Sequence, residues 1–197
     1  MFDLPRSGVD QLDAAEEAAS RVLDLLSEKD KQFFACQGHR TLGRIYGAKD
    51  DPEKAIHHFE AALGIASPFN WHSELFWIHF SLAKLFSGKG RFDDAHAHIQ
   101  RAKPHTVNDP YLLAHASLLQ ALVWDDQDRP EEAKSEALRA LDVFEKLGAA
   151  NNAEWTRKLI RQIDAGGSGL SNGELPKTVQ PVMFVNSSCS DKVTESK

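Results

Sequence analysis

The sequence predicts an all-α protein, a solenoid of antiparallel helix hairpins, and three observations predict it. Four stretches align on one another at a near-constant spacing: residues 8–22, 48–62, 88–102 and 126–140, offset by 40, 40 and 38. Ala55 superposes on Ala95 and Ala133, and Ala62 on Ala102 and Ala140. A second set, "HRTLGRIYG" (39–47), "HFSLAKLFS" (79–87) and "SLLQALVWD" (117–125), aligns with the same offsets and precedes three of the four. Turn-forming residues separate the two sets: Asp50-Asp51-Pro52, Gly88-Lys89-Gly90 and Asp128-Arg129-Pro130. Each unit therefore reads as helix, short turn, helix.

The first predicted helix, 9–28, carries Ala15, Ala19 and Val22 where later units have Ala55, Phe59 and Ala62, so it matches only the second helix of a unit. Helix 31–47 brings Leu42, Gly43 and Tyr46; a small residue followed three positions later by an aromatic suits two helices in close approach. Helix 52–66 starts after a proline with Glu53 in its first turn, where an acid meets the positive end of the helix dipole. Helix 72–87 repeats the signature as Leu82, Ala83 and Phe86. Helix 92–103 starts with Asp93 and Asp94. Helix 109–125 has Ala121 and Trp124, with Gln120 in place of the leucine, and helix 130–147 starts with Glu131 and Glu132. Helix 151–164 looks like a lone first helix that caps the array. The units are thus a half repeat (9–28), repeats at about 31–67, 72–104 and 109–147, and the cap, all within a domain at 9–165. Residues 166–197, rich in Gly, Ser, Pro and Lys without helical period, predict a flexible, disordered tail.

A chain with 42% hydrophobic and 26% charged residues has enough apolar material for a core. A net charge of −6 argues against wrapping nucleic acid or lying on an anionic membrane. The start has early acids and no apolar core, so it does not read as a signal peptide, and no apolar run is long enough to span a bilayer. Cys36 and Cys189 make no disulfide or metal framework, which fits a reducing, cytoplasmic setting.

His57, His58, His96 and His98 invite a metal reading. Side chains two apart on a helix point about 200° away from each other, so His96 and His98 do not chelate one ion together. His98 falls on His58 and His79 on His39, one repeat apart; the histidines are expected as duplicated residues at inter-repeat seams or in solvent, with no metal or other cofactor. Cys36 is a candidate nucleophile only if a base and an orienting group converge on it, and in its helical setting it is expected to be a packed thiol. No enzyme is predicted.

The order Leu82, Ala83, Phe86, Gly90, Ala95, Ile99, Ala102 resembles the tetratricopeptide repeat, over residues 9 to about 164. The period near 40 departs from the usual length of about 34, as does Gln120, and the longer period resembles extended members of the family. The stretches "HHFEAALGIASPFNWH" and "RFDDAHAHIQRAK" look like carboxy-terminal repeats of large fungal proteins with an upstream nucleotide-binding domain. "GGSGLSNG" (166–173) lacks the Lys-Ser/Thr of a phosphate loop. The resemblance implies a right-handed superhelix whose first helices line a concave face that binds extended or helical peptides. Carried over by motif position, the groove residues are Gln37, Arg40 and Arg44, then Trp77, Phe80 and Lys84, then His115, Leu118, Leu122 and Asp125. Arg40, Arg44 and Lys84 are expected to meet a carboxylate, and Trp77 and Phe80 to form anchoring pockets. The asparagines with which chaperone-binding members clamp a terminal carboxylate are missing. The implied function is a protein-interaction scaffold whose partner is a protein or peptide with acidic and apolar residues. Two readings compete with it, a partner-sensing segment of a larger nucleotide-dependent switch protein and a small-ligand or metal binder using the histidines. Self-association through the unpaired helix 9–28 is a further expectation.

Overall fold

The computed structural model describes residues 8–24 and 32–166, with side chains over 12–21 and 32–166. The predicted tail beyond Gly166, the end of the first predicted helix, and the side chains of Val22, Leu23 and Leu26 lie outside the described residues. What is described is helical, with no strand: α1 (Gly8–Asp24), α2 (Gln32–Ala48), α3 (Pro52–Ala66), α4 (His72–Gly88), α5 (Phe92–Ala102), α6 (Pro110–Asp126), α7 (Pro130–Lys146) and α8 (Ala150–Asp164). No helix among the described residues is long and apolar enough to cross a membrane.

One turn recurs between helices. Asp51 N donates to Tyr46 O, Arg91 N to Phe86 O, Arg129 N to Trp124 O and Ala149 N to Phe144 O, each at 2.9 Å. The preceding residue is left-handed each time: Asp50 (φ 62°), Gly90 (70°), Asp128 (57°) and Gly148 (67°). This six-to-one bond around a left-handed residue is a helix stop that satisfies carbonyls the helix would otherwise leave orphaned. The acceptor is always the carbonyl of an aromatic residue, and three of the rings are covered by a cation from the following helix start: Lys54 over Tyr46, Arg91 over Phe86 and Arg129 over Trp124. The α3–α4 and α5–α6 connections differ. Each is a 3-10 turn, Ser67–Phe69 and Lys103–Thr106, followed by a left-handed asparagine, Asn70 or Asn108.

Each helix packs on the next in sequence, and α2, α4 and α6 also pack on one another in a row. Ala55, Ala95 and Ala133 are fully buried, as the close approach of paired helices requires. At Gly43 the paired helices come close enough that a Cβ there would lie 2.8 Å from the Phe59 ring. The apolar core falls into two main clusters, one spanning α2 to α6 and one spanning α6 to α8, with Tyr111 packed against both. Ala19 carries α1 onto Leu42, Ile45 and Tyr46 of α2, so the half repeat does cover the first hairpin.

Candidate interaction surface

The ten expected groove residues lie on α2, α4 and α6 as their motif positions imply, but most do not face solvent. Arg40, Trp77, Phe80, His115, Leu118 and Asp125 are buried; Gln37, Arg44 and Leu122 are half-buried; Lys84 is exposed. Trp77 and Phe80 are therefore not open anchoring pockets. Their rings pack edge-on at 5.3 Å, and both meet the fully buried His115 ring of α6. The reason is the row of first helices: α4 lies between α2 and α6, and the neighbours fill the face expected to line a groove.

Arg40 is also not a waiting cation. Its Nε donates to Glu74 Oε2 at 3.0 Å, and Gln37 Nε2 donates to Glu74 Oε1 at 3.3 Å. Both charged side chains of the pair are about nine-tenths buried, so the bond ties α2 to α4, and removing one partner would strand the other in the core. Arg44, one turn further along α2, stands differently. No carboxylate is paired with it among the described residues, and burial, then the Arg40 charge, hold its pKa below the usual arginine value. A guanidinium stays charged regardless. Arg44 is thus a cation in an unfavourable place, and Lys84 occupies the equivalent position on α4.

Four of the histidines do not sit at inter-repeat seams, whereas His96 does and His57 is exposed. His39 Nδ1 lies 3.0 Å from His58 Nδ1, joining α2 to α3, and His79 Nδ1 lies 3.1 Å from His98 Nδ1, joining α4 to α5. Both pairs lie inside hairpins. His96 turns away from His98 as the helical spacing demands: it packs on Trp124 at 4.4 Å and bonds Gln120 and Gln127. Gln120, the departure from the leucine pattern, is therefore the α6 partner of His96. Among the described residues no group of three or more His, Cys, Asp or Glu side chains is arranged to hold a metal ion. Cys36 is buried, donates to Ala62 O at 3.5 Å, and has its pKa pushed up by burial to about 12, the setting of a packed thiol.

The residues that sequence reasoning missed are the polar partners inside the core. Glu74 is an acid in the first turn of α4, and 34 positions separate it from Arg40, off the repeat register. Asn152, which bonds His115 at 3.3 Å, belongs to the capping helix, where no repeat exists to align it. No protein-family model, curated protein or solved structure matches the chain.

Proposed function

We propose that this chain is a protein-interaction module, a tetratricopeptide-like array whose hairpins stack as a right-handed superhelical solenoid and whose row of first helices receives a partner. The partner is a peptide or protein segment that carries a carboxylate beside an apolar side chain. The repeated turns and the row of α2, α4 and α6 support the architecture. Arg44 carries the functional reading: a half-buried arginine, next to the Arg40 cation and unpaired among the described residues, gains most from an incoming anion. Lys84 adds charge one repeat along, and half-buried Leu122 on α6 offers apolar contact in the same row. A cytoplasmic setting fits the composition.

The experiment is capture of interacting proteins by the wild type and by an Arg44→Glu, Lys84→Glu double variant, at low and at roughly physiological salt. Recovery should fall in the variant and with salt, because charges in partial contact with water are screened over about 8 to 10 Å. The circular dichroism spectrum should stay unchanged. Recovery indifferent to both the reversal and the salt would remove Arg44 from the binding surface.

A further inference from the structure

We propose that the paired imidazoles His39–His58 and His79–His98 form a duplicated acid-sensitive latch that holds the two helices of each of the first two hairpins together and releases them when protonated. The geometry is the same twice. In each pair a first-helix histidine meets a second-helix histidine 19 residues later through facing Nδ1 atoms, at 3.0 and 3.1 Å, with ring centroids 5.3 Å apart. Each second-helix ring stacks on the signature aromatic of the preceding helix, His58 on Tyr46 and His98 on Phe86, at 5.3 Å. The third hairpin has Ser117 and Glu136 at the equivalent positions, so the device belongs to two of the three hairpins.

Two facing Nδ1 atoms at this distance fix opposite tautomers: one ring carries its proton on Nδ1 and donates, and the other presents a bare Nδ1 and accepts. The contact holds one proton. A second Nδ1 proton would make the accepting ring a cation and set N–H against N–H, so the closed pair can take at most one further proton, on the donor's Nε2. Once a hairpin opens, both rings titrate near the ordinary value of about 6.5, so opening takes up at least one proton that the closed pair cannot bind. By linkage, the opening equilibrium then rises about tenfold per pH unit for each such proton.

The surroundings act in the same direction. Around the first pair stand His57 on α3, Glu16 on α1, and Tyr46 with Lys49 and Lys54. Burial and the neighbouring histidines hold His39 and His58 below the usual value, opposed at His58 by Glu16. Around the second pair stand Glu60 on α3, Asp94 and Arg101 on α5, and His105 after it, itself bonded to His72 at 3.1 Å. Burial, then His98, His105 and Arg101, push His79 down to about 4. A cavity of about 340 Å³ between α3, α4 and α5 is lined by both His79 and His98, which gives water and protons a route to the pair.

The test is hydrogen exchange of the whole chain from pH 7 to pH 5, corrected for the intrinsic pH dependence of exchange. In the wild type, protection in α2–α3 and α4–α5 should fall at least about tenfold between pH 6 and pH 5. A His79→Ser, His98→Glu variant, which installs the third hairpin's residues, should lose the fall in α4–α5 and keep it in α2–α3. Histidines left in the variant, including His105 and His115, serve as the internal background. An unaltered response of α4–α5 in that variant, or no response of either hairpin in the wild type, overturns the latch. Imidazole nitrogen NMR of the wild type tests it without any substitution. One Nδ1–H and one Nε2–H tautomer per pair is expected, and two identical tautomers that titrate at the ordinary value would end it.

Discussion

At the scale of single residues, the small position before each aromatic varies inversely with what faces it across the hairpin. Gly43 meets Phe59, whereas the later units place Ala83 and Ala121 in register with Ile99 and Ala137. Gly43→Ala adds a methyl 2.8 Å from a ring that is itself buried. The gain in helix propensity, about 1 kcal/mol, is smaller than overpacking of about 1 to 3 kcal/mol, so the variant should be less stable in urea unfolding. Adding Phe59→Ile should recover part of that loss, and strictly additive effects of the two substitutions would show that the ring had room to move. His115 supplies a second residue-scale prediction. It is fully buried among Trp77, Tyr111 and Phe144, its Nδ1 has no partner, and burial pushes its pKa down to about 3. The folded value lies below the unfolded value of about 6.5. The resulting stability is therefore complete above that pH and is lost as pH falls toward 3, at up to about 1.4 kcal/mol per unit. His115→Phe should remove that slope between pH 6 and pH 4, with urea midpoints as the measure. Equal slopes in the two proteins would mean that His115 finds water on protonation.

At the scale of elements, the turns and the pairing of helices were legible because their signals are local and recur. The left-handed Asp50, Gly90 and Asp128, the carbonyls of Tyr46, Phe86 and Trp124, and the buried Ala55, Ala95 and Ala133 fall on the repeat register. The surface of the row was not legible by the same means. Aligning motif positions says which helix a side chain stands on; whether a neighbour covers it depends on packing against the adjacent repeat. One signal was available: α4 and α6 carry apolar residues around most of their circumference, the mark of a helix enclosed on several sides. Trp77 and Phe80 follow from that pattern as core. Among the described side chains, α1 meets α2 through Ala19 and through polar bonds at Asp13 and Glu16. Lys49 Nζ pairs with Asp13 at 2.6 Å and with Glu16, which also accepts from the Tyr46 hydroxyl. Lys49→Glu should raise hydrogen exchange in α1 at low salt while α4 to α8 keep their protection. Unchanged exchange in α1 would show that the Lys49 ion pairs do not carry its attachment.

At the scale of the whole molecule, the division of the core into two clusters meeting at Tyr111 sets how far damage spreads. Phe144 is fully buried in the second cluster, and truncating it to alanine should destabilise by about 3 to 5 kcal/mol. Protection should fall first over α7 and α8, with α2 to α5 following only under stronger denaturant. A uniform loss across all helices would mean that α6 transmits the disruption and that the molecule unfolds as one cooperative unit.

The identity of the turns at Asp51 and Arg91 makes residues 52–91 a portable cassette. The segment starts and ends just after the same left-handed stop, at Asp50 and at Gly90, with the same bond to an aromatic carbonyl behind it. A second copy spliced in after Arg91 would bring Ala55, His58, Phe59 and Ala62 against α4, where Ala95, His98, Ile99 and Ala102 now stand. The turn at the junction would be one the molecule already makes, but the hairpin it closes would set Ala83 against Phe59, the methyl-on-ring contact that Gly43 avoids in the first hairpin, so lengthening by duplication calls for glycine at position 83 of the preceding helix.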